Sequence, residues 1–333
     1  MAIYERVIRR ALFKLDAENA HNLAIRMLRA NLVPPVKVEN EPILCSIIWG
    51  QKFNNPIGLA AGFDKNAAAI FNLNKLGFGF IEVGTVTPRP QQGNTKPRIF
   101  RLEEDEGIIN RLGFNNEGLE VFRKRLKTVK KKGLNTVIGA NIGKNKDSSD
   151  AASDYIKGMR SVSEFADYVV LNISSPNTPG LRELQNQEIL EKLMEKILQE
   201  RETASHQPPI VLKVAPDLND QDIRKIADSA TRFNVDGLIA TNTTTARSNA
   251  LISENKTMQG GLSGRPLMAA ATTVLRTLYR HTGGNIPIIG VGGVFTGEDA
   301  YIKIRSGASL VQIYSALIYR GPSVAAKLVS ELK

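Results

Sequence analysis

The sequence predicts an α/β fold: a (β/α)8 TIM barrel with an N-terminal amphipathic helical hairpin and an insertion after the second barrel strand. Eight short apolar runs succeed one another along the chain, and each is followed by a helix-like stretch. Continuous apolar runs are typical of parallel strands buried on both faces, and helical connections suit parallel pairing. Eight such units favour a closed barrel over the alternative, an open doubly wound sheet.

The eight predicted strands follow a short strand pair around Trp49 and Gly50. They occupy residues 57–61, 79–84, 136–141, 168–173, 210–215, 236–241, 286–291 and 309–314. A barrel of this kind fills about 250 residues. The chain has 333 residues, so it is long enough for the barrel and both additions.

The first 33 residues predict the helical hairpin. Apolar residues recur at helical spacing from Ile3 to Leu15, and basic residues fill most positions between them. Asp16 is the predicted N-cap of a second helix, which ends before Pro34. We assign residues 1–40 to the hairpin and residues 41–333 to the barrel. Two interpretations stay open, a pair of helices packed on the barrel and a pair that also rests on an anionic membrane surface.

Residues 86–115 predict the insertion. This stretch is too long and too polar for a simple connection between a strand and a helix, and it is rich in proline and glycine. We expect it to cover the top of the barrel.

Composition and charge exclude several classes of protein. The single cysteine, Cys45, rules out an intramolecular disulfide, and we expect it to be a small buried residue. No uncharged apolar run reaches the roughly 18 residues of a membrane-spanning helix. The net charge of +11 favours anionic partners. The basic run at 123–132 overlies an apolar stripe, which indicates a solvated outer helix rather than a nucleic-acid site.

Candidate site residues lie at the C-terminal ends of the predicted strands, where barrel enzymes place their chemistry. The glycines after the seventh strand, with Tyr314 and Ser315 after the eighth, predict a phosphate site. Burying a lysine ammonium at a strand end is costly without an anion beside it, so we predict that Lys65 and Lys213 face anionic ligand groups. The alternative is that they pair with a core carboxylate such as Asp64. Several asparagines near the strand ends suit a planar heterocycle with amide edges.

No metal site is predicted, because the three histidines lie away from the strand ends. Proton abstraction must then use a lysine, a carboxylate or a hydroxyl. The loop at 174–183, which contains prolines and a glycine, is the predicted cover of the site and carries Ser175.

Seven segments together resemble class 2, quinone-dependent dihydroorotate dehydrogenase. They are GLAAGFDKN, NRLGFNN, NISSPNTPGLR, LKVAPD, TNTT, GGLSGRPL and GVGG. The amphipathic hairpin also fits that class. The resemblance therefore covers nearly the whole chain.

The resemblance implies oxidation of (S)-dihydroorotate to orotate, in de novo pyrimidine (UMP) biosynthesis, by an FMN enzyme with a membrane quinone as electron acceptor. It implies FMN contacts from Ala61, Gly62, Phe63, Asp64, Lys65, Thr85, Asn141, Asn172, Lys213, Thr241, Gly264, Gly293, Tyr314 and Ser315. It implies substrate contacts from Lys65, Asn110, Arg111, Leu112, Gly113, Phe114, Asn172, Asn177, Asn242 and Thr243. Ser175 is implied as the general base at C5 while a hydride passes from C6 to N5 of FMN.

The resemblance also separates two classes of the family. Class 1 relatives carry a cysteine base where this chain has Ser175, and they lack the hairpin, so a quinone acceptor is favoured. We therefore expect a bacterial-type monomer that binds peripherally to the cytoplasmic side of the inner membrane, with no nucleic-acid partner. A targeting segment and a spanning helix, as in animal mitochondrial relatives, are not expected.

Three other functions stay open from the residues alone. A barrel isomerase or lyase without flavin would bind a phosphorylated substrate at the late strands. A non-enzymatic basic protein would bind nucleic acid or a membrane through its charge. A related flavin enzyme would act on dihydrouracil or use a soluble acceptor. Bound FMN distinguishes the first two from the resemblance, and substrate and acceptor assays distinguish the third.

Overall fold

The computed structural model describes residues 3–38 and 41–333. The N-terminal segment has a π-helical turn at Tyr4–Ile8, then α1 (Arg9–Phe13) and α2 (Ala17–Arg29). The Asp16 carboxylate accepts hydrogen bonds from two backbone N–H groups of the first turn of α2, both at 3.0 Å, which confirms the predicted N-cap. The predicted boundary between hairpin and barrel, after residue 40, borders residues 39 and 40, which lie outside the described residues, and it stays a prediction.

Two short antiparallel strands, β1 (Ser46–Ile48) and β2 (Gln51–Phe53), close the N-terminal end of the barrel. Trp49, between them, packs against Tyr168 with ring centroids 5.4 Å apart. Its indole Nε1 donates a hydrogen bond to the Asp236 carbonyl at 2.6 Å. The strand pair predicted around Trp49 is therefore confirmed.

Cys45 differs from its prediction, because it is partly exposed rather than buried. Its thiol lies 3.3 Å from the carbonyl oxygen of Asn54. The physical reason is its position beside β1 at the outer surface of the barrel end, where Ile43 and Ile47 are exposed as well.

Eight parallel strands form a closed barrel, and each overlaps one of the eight predicted runs. They are β3 (Ile57–Leu59), β4 (Phe80–Val86), β7 (Val137–Ile142), β8 (Tyr168–Asn172), β9 (Ile210–Val214), β10 (Gly237–Ala240), β12 (Ile288–Val291) and β13 (Leu310–Ile313). The last strand pairs with the first, with Val311 opposite Ile57, so the ring has no free edge. The open doubly wound sheet is therefore excluded.

Helices form the layer around the strands. They are α3 (Ile70–Leu73), α4 (Leu119–Lys131), α5 (Ala151–Val162), α6 (Gln187–Thr203), α7 (Asp220–Arg232), α8 (Met268–His281), α9 (Gly297–Arg305), α10 (Ser315–Arg320) and α11 (Val324–Glu331). Short 3-10 turns lie at Pro42–Leu44, Asn74–Leu76, Leu181–Gln185, Glu254–Thr257 and Arg265–Leu267. Helix α4 buries Leu119, Phe122, Leu126 and Val129, which is the apolar stripe predicted beneath the basic run.

A second, three-stranded antiparallel sheet borders the C-terminal end of the barrel. Its strands are β5 (Ile99–Leu102), β6 (Gly107–Asn110) and β11 (Gly261–Gly264), in the order β11-β6-β5. The predicted insertion supplies β5 and β6, and β11 comes from the connection after β10. We call these three strands the insertion sheet. None of the helices in the described ranges is both long and apolar enough to cross a bilayer.

Candidate active site

The C-terminal ends of the barrel strands and the edge of the insertion sheet enclose a cavity of about 140 Å³, the central cavity. Most residues nominated from the sequence line it: Ala61, Gly62, Lys65, Thr85, Asn110, Leu112, Gly113, Phe114, Asn172, Ser175, Asn177, Lys213, Thr241, Asn242, Thr243, Gly264, Gly293, Tyr314 and Ser315. These residues come from segments far apart in the sequence. The barrel therefore brings both implied sets, cofactor and substrate contacts, to one place.

Four nominated residues lie outside the lining of the central cavity: Phe63, Asp64, Asn141 and Arg111. Asn141 is fully buried beside the cavity and donates from Nδ2 to Glu82 at 2.7 Å. The Asp64 carboxylate accepts hydrogen bonds from the backbone N–H groups of Ala68 and Ala69 at 2.8 and 2.7 Å. Both residues therefore support the loops and side chains of the lining rather than forming its surface.

Phe63 and Arg111 point elsewhere. Phe63 packs edge-on against His21 of the hairpin, with ring centroids 5.2 Å apart. The Arg111 guanidinium donates to the Pro97 carbonyl at 2.9 Å and lies 5.2 Å from the centre of the Phe100 ring. The side chain of Arg111 thus ties the insertion together, while its neighbours in sequence line the cavity.

A chain of buried side-chain hydrogen bonds runs along the cavity floor. Asn141 donates to Glu82, and its Oδ1 accepts from the Thr85 hydroxyl at 2.5 Å. Thr85 in turn accepts from Asn172 Nδ2 at 2.8 Å, and Asn172 Oδ1 accepts from Asn242 Nδ2 at 3.1 Å. An ionised carboxylate can only accept hydrogen bonds, so every bond in this series has its donor and acceptor fixed, beginning at Glu82. The amide groups that face the cavity consequently have defined orientations.

Lys213 has a carboxylate partner in the barrel interior. Its Nζ lies 3.6 Å from Oε1 of Glu82, and both side chains are buried. Glu82 also accepts from Gln312 Nε2 at 2.6 Å. The sequence left a core carboxylate open as the alternative partner of this lysine, and the structure identifies Glu82 rather than Asp64. The lysine still lines the cavity.

Lys65 enters the central cavity from the loop after β3. Its Nζ donates to the Gly62 carbonyl at 2.7 Å. Burial lowers the pKa of Lys65 to about 8, although the carboxylates of Glu18 and Asp64 act in the opposite direction. The amine is therefore mainly protonated at pH 7 and presents a positive charge to the cavity.

The loop at residues 174–183, the Ser175 loop, covers one side of the cavity. Ser175 is 6% exposed, and its Oγ accepts a hydrogen bond from the Asn177 backbone N–H at 3.3 Å. Asn177 Nδ2 donates to the Asn110 carbonyl at 3.0 Å, which joins the loop to the insertion sheet. Among the described residues, the buried Thr178 hydroxyl has no hydrogen-bond partner.

The late strand ends form the part of the cavity where the sequence predicts a phosphate. Gly292 and Gly293 both have positive φ, and a Cβ on Gly293 would lie 2.4 Å from the backbone of Met268. Only glycine suits this close approach. Ser263 and Ser315 also line the cavity, and their hydroxyls lie 3.0 Å apart.

A second, largely apolar cavity of about 270 Å³ lies between the hairpin and the barrel, and we call it the hairpin cavity. Its lining includes Ile8, Leu12, Phe13, Ala20, His21, Ala24, Met27, Leu28, Phe63, Ile99 and Arg101. Asn110, Leu112 and Tyr314 line both cavities, so the two share a wall. Burial lowers the pKa of the His21 imidazole to about 3, so this ring is neutral at pH 7.

Sequence reasoning missed three polar residues of the site: Glu82, Gln312 and Ser263. Glu82 and Gln312 lie inside strands whose pattern reads as apolar, so only an isolated polar residue within such a run could have indicated them. Ser263 lies within the GGLSGRPL segment but reaches the cavity through the insertion sheet, which was not predicted.

A closed parallel barrel with a polar, lysine-containing cavity at its strand ends defines an enzyme of the (β/α)8 class. A family model described as dihydroorotate dehydrogenase matches residues 43–333. The chain is 49% identical over 323 residues to "Dihydroorotate dehydrogenase (quinone)" of Xanthobacter autotrophicus, covering 96% of this chain and 90% of that protein. It is 48% identical over 326 residues to the mitochondrial protein of the same name from Mus musculus, covering 96% and 82%.

A solved structure agrees with these sequence comparisons. The crystal structure of DHODH in complex with ferulenol from Eimeria tenella has a TM-score of 0.93 and 44% identity, covering 97% of this chain and 93% of that chain. The chain belongs to the dihydroorotate dehydrogenase family, in its quinone-dependent class. The resemblance stated from the motifs is confirmed.

Proposed function

We propose that this chain oxidises (S)-dihydroorotate to orotate in pyrimidine biosynthesis and passes the electrons to a membrane quinone. The observation that carries the proposal is the pair of cavities with a common wall at Asn110, Leu112 and Tyr314. One cavity is polar and suits a charged heterocycle, and the other is apolar and suits a quinone ring. Each of the two half-reactions would then use its own cavity.

The central cavity fits FMN by the chemistry of its lining. Gln312 lines it, and its Oε1 is buried with no partner in the described part of the chain, as expected of an acceptor that awaits a ligand N–H. Lys213 supplies a positive charge at the floor, and the glycine turn at 292–293 lets a ligand approach the backbone. When bound, FMN supplies a hydride acceptor for C6 of dihydroorotate. All the FMN contacts implied by the resemblance stay proposals.

The substrate side of the cavity is proposed to lie between the Ser175 loop and residues 110–114. Asn110, Asn172, Asn177 and Asn242 present amides to it, and Lys65 presents a positive charge. A carboxylate and two ring carbonyls are the groups that such donors bind. Lys65 would also stabilise negative charge that develops on the substrate.

Ser175 is the proposed base at C5 of dihydroorotate. A free hydroxyl is a weak base near neutral pH, so its surroundings must favour the deprotonated oxygen. The backbone N–H of Asn177 donates to Ser175 Oγ, and hydrogen bonds to a charged oxygen favour the charged form. We propose Thr178 and Phe114 as neighbours of the path by which the proton leaves.

The hairpin cavity is the proposed quinone site. Exposed Ile3, Val7 and Leu32 on the hairpin and following turn give this end of the molecule an apolar surface. We propose that the monomer binds peripherally to an anionic membrane, on the cytoplasmic side, through this surface.

An anaerobic absorbance experiment tests the proposed reaction. The purified protein is expected to show oxidised flavin, to bleach with dihydroorotate and to recover with the soluble quinone decylubiquinone. A protein that is colourless and cannot be reconstituted with FMN would overturn the proposal. A yellow protein that does not react with dihydroorotate would retain the flavin and exclude the substrate.

The Ser175→Ala variant tests the base. We expect flavin reduction by dihydroorotate to slow by at least about a hundredfold, the usual contribution of a positioned general base. The flavin absorbance of the same sample is the control, because it shows that the barrel is folded and FMN is bound. A stopped-flow reduction rate equal to that of the parent protein would remove Ser175 from the mechanism.

A further inference from the structure

Asn94, in the turn before β5, joins three segments through its side-chain amide. Its Nδ2 donates to the Arg111 carbonyl at 3.0 Å and to the Asn177 carbonyl at 3.1 Å. Its Oδ1 accepts from Lys146 Nζ at 3.0 Å. Two carbonyls can receive only donors and an ammonium can meet only an acceptor, so the orientation of this amide is fixed.

Asn94 is itself held by Arg98, which is 6% exposed. Arg98 Nη1 donates to the carbonyls of Gln92 and Asn94, both at 2.7 Å, and so fixes the turn that carries the amide. Its Nε and Nη2 form a bidentate pair with the Glu18 carboxylate at 2.9 and 2.7 Å. Glu18 lies in the first turn of α2, so the hairpin supplies the charge that orients Arg98.

We propose that Asn94 is a positioning residue for the dihydroorotate site, and that Glu18 of the hairpin acts on that site through Arg98 and Asn94. This inference rests on the proposed function. The Asn94 amide donates to Asn177, whose own N–H contacts Ser175 Oγ. It also donates to residue 111, between the cavity residues Asn110 and Leu112. Together with the hydrogen bond from Asn177 to Asn110, this side chain thereby sets the distance between the Ser175 loop and the opposite wall of the cavity.

The packing around this amide leaves it little freedom. A Cβ on Gly113, which has a φ of +69°, would lie 2.8 Å from the Asn94 amide. The backbone N–H of Asn94 donates to the Leu112 carbonyl at 3.0 Å. A change in the amide chemistry therefore acts on the two loops, since the turn itself is held by other contacts.

The Asn94→Asp variant tests the role, because it keeps the size of the side chain but places an oxygen against two carbonyls. We expect hydrogen–deuterium exchange of residues 174–183 to become faster, and the Kd of orotate, measured by the change in flavin absorbance, to rise about tenfold. The loss relative to the parent should shrink at acid pH, because a protonated carboxyl donates again. Asn94→Ala should weaken binding without that extra pH dependence.

Two variants in the hairpin separate positioning from general stability. Glu18→Gln should raise the Kd of orotate about threefold and make hydrogen–deuterium exchange of residues 174–183 faster, since Arg98 loses its charged partner. The exchange is the readout of the link through Arg98, because the Glu18 charge also raises the pKa of Lys65 and so acts on the Kd directly. Arg26→Gly weakens the same helix at an exposed position about two turns away from Glu18, and it should leave orotate affinity and loop exchange unchanged. Equal exchange of residues 174–183 in the two hairpin variants would overturn the link through Glu18.

The role of Asn94 fails if Asn94→Asp leaves both the exchange of the Ser175 loop and the orotate affinity at parent values. The exchange measurement requires neither flavin nor substrate. A failure of the proposed reaction in the parent protein would therefore be distinguishable from a failure of this inference.

Discussion

Two lysines buried near the barrel show how differently one residue type can be accommodated. Lys213 lies 3.6 Å from the Glu82 carboxylate, and its charge is balanced. Lys303, on α9, is fully buried, and its Nζ has no hydrogen-bond partner among residues 3–38 and 41–333. The nearby Asp299 carboxylate instead accepts hydrogen bonds from the backbone N–H groups of Phe295 and Thr296, just before that helix. Burial lowers the pKa of Lys303 to about 7, so folding carries an electrostatic cost at this position.

We expect Lys303→Met to stabilise the protein, because methionine fills similar space without a polar group that lacks a partner. The gain in the free energy of unfolding should be about 1 to 3 kcal/mol at pH 7, the cost of one unsatisfied buried polar group. Urea denaturation of both proteins measures it. The exposed Lys124→Met on α4 is the matched control and should change stability little. Equal stability of parent and Lys303→Met would show that the amine is satisfied in solution.

The pH dependence of that gain follows from the lowered pKa. Between about pH 7 and 10.5 the unfolded chain binds a proton at Lys303 and the folded chain does not, so the stability of the parent rises with pH. Below pH 7 both states are protonated and this contribution is constant. The advantage of Lys303→Met is therefore expected to be largest below pH 7 and to decrease towards pH 10. An advantage that grew with pH would contradict the assignment.

At the scale of elements, the hairpin forms one wall of the hairpin cavity, and barrel residues form the other wall. The two helices bury few residues of their own, and only Glu18, Ala20 and Leu28 of α2 are buried. The hairpin cavity beneath them is a continuous binding surface and not a packing defect, since its lining extends from the hairpin onto Phe63 and Tyr314 of the barrel. An apolar ligand is what this wall accommodates.

Ala24→Trp, on α2, should fill the hairpin cavity and raise the KM for decylubiquinone at least about tenfold, by excluding the ligand from its site. The rate of flavin reduction by dihydroorotate should stay at the parent value, because that half-reaction uses the central cavity. Asn22→Trp is the matched control, since Asn22 is exposed on the same helix and does not line the cavity. Equal quinone kinetics in the two variants would argue against this site for the quinone.

Local pattern predicted the elements that depend on nearby residues. The eight barrel strands and the Asp16 cap each have a signal within a few residues. The insertion sheet has none, because β11 pairs with a strand about 150 residues earlier, with Gly261 opposite Asn110. The strand ends likewise indicated Ser175 and Lys213, but the carboxylate that pairs with Lys213 comes from the middle of another strand. Which side chains meet inside the barrel depends on how its strands are aligned with one another. The sequence of one strand alone does not determine that alignment.

At the scale of the whole molecule, the two ends of the barrel differ in what they expose. The C-terminal end carries the hairpin, with exposed Val7 and Leu32 beside arginines and lysines. The N-terminal end is closed by β1 and β2 and exposes the two isoleucines Ile43 and Ile47. An apolar surface bordered by positive charge binds anionic lipid through both contributions, and the hairpin presents both along two amphipathic helices. We therefore expect the protein to bind a membrane in one orientation, with the hairpin end towards the lipid.

Flotation with anionic vesicles tests that direction. The combined Val7→Glu and Leu32→Glu variant places two charges on the apolar surface of the hairpin end, so it should lose most of its vesicle binding while keeping flavin reduction by dihydroorotate. Ile47→Glu places a charge on a residue that is more exposed, 77% against 62% and 65%, but at the opposite end, and it should float like the parent. Binding of the parent should also weaken at high salt, because the basic residues contribute. If Ile47→Glu reduced flotation as much as the hairpin variant, the lipid would not distinguish the two ends, and the hairpin would lose its proposed role as the membrane-facing element of this barrel.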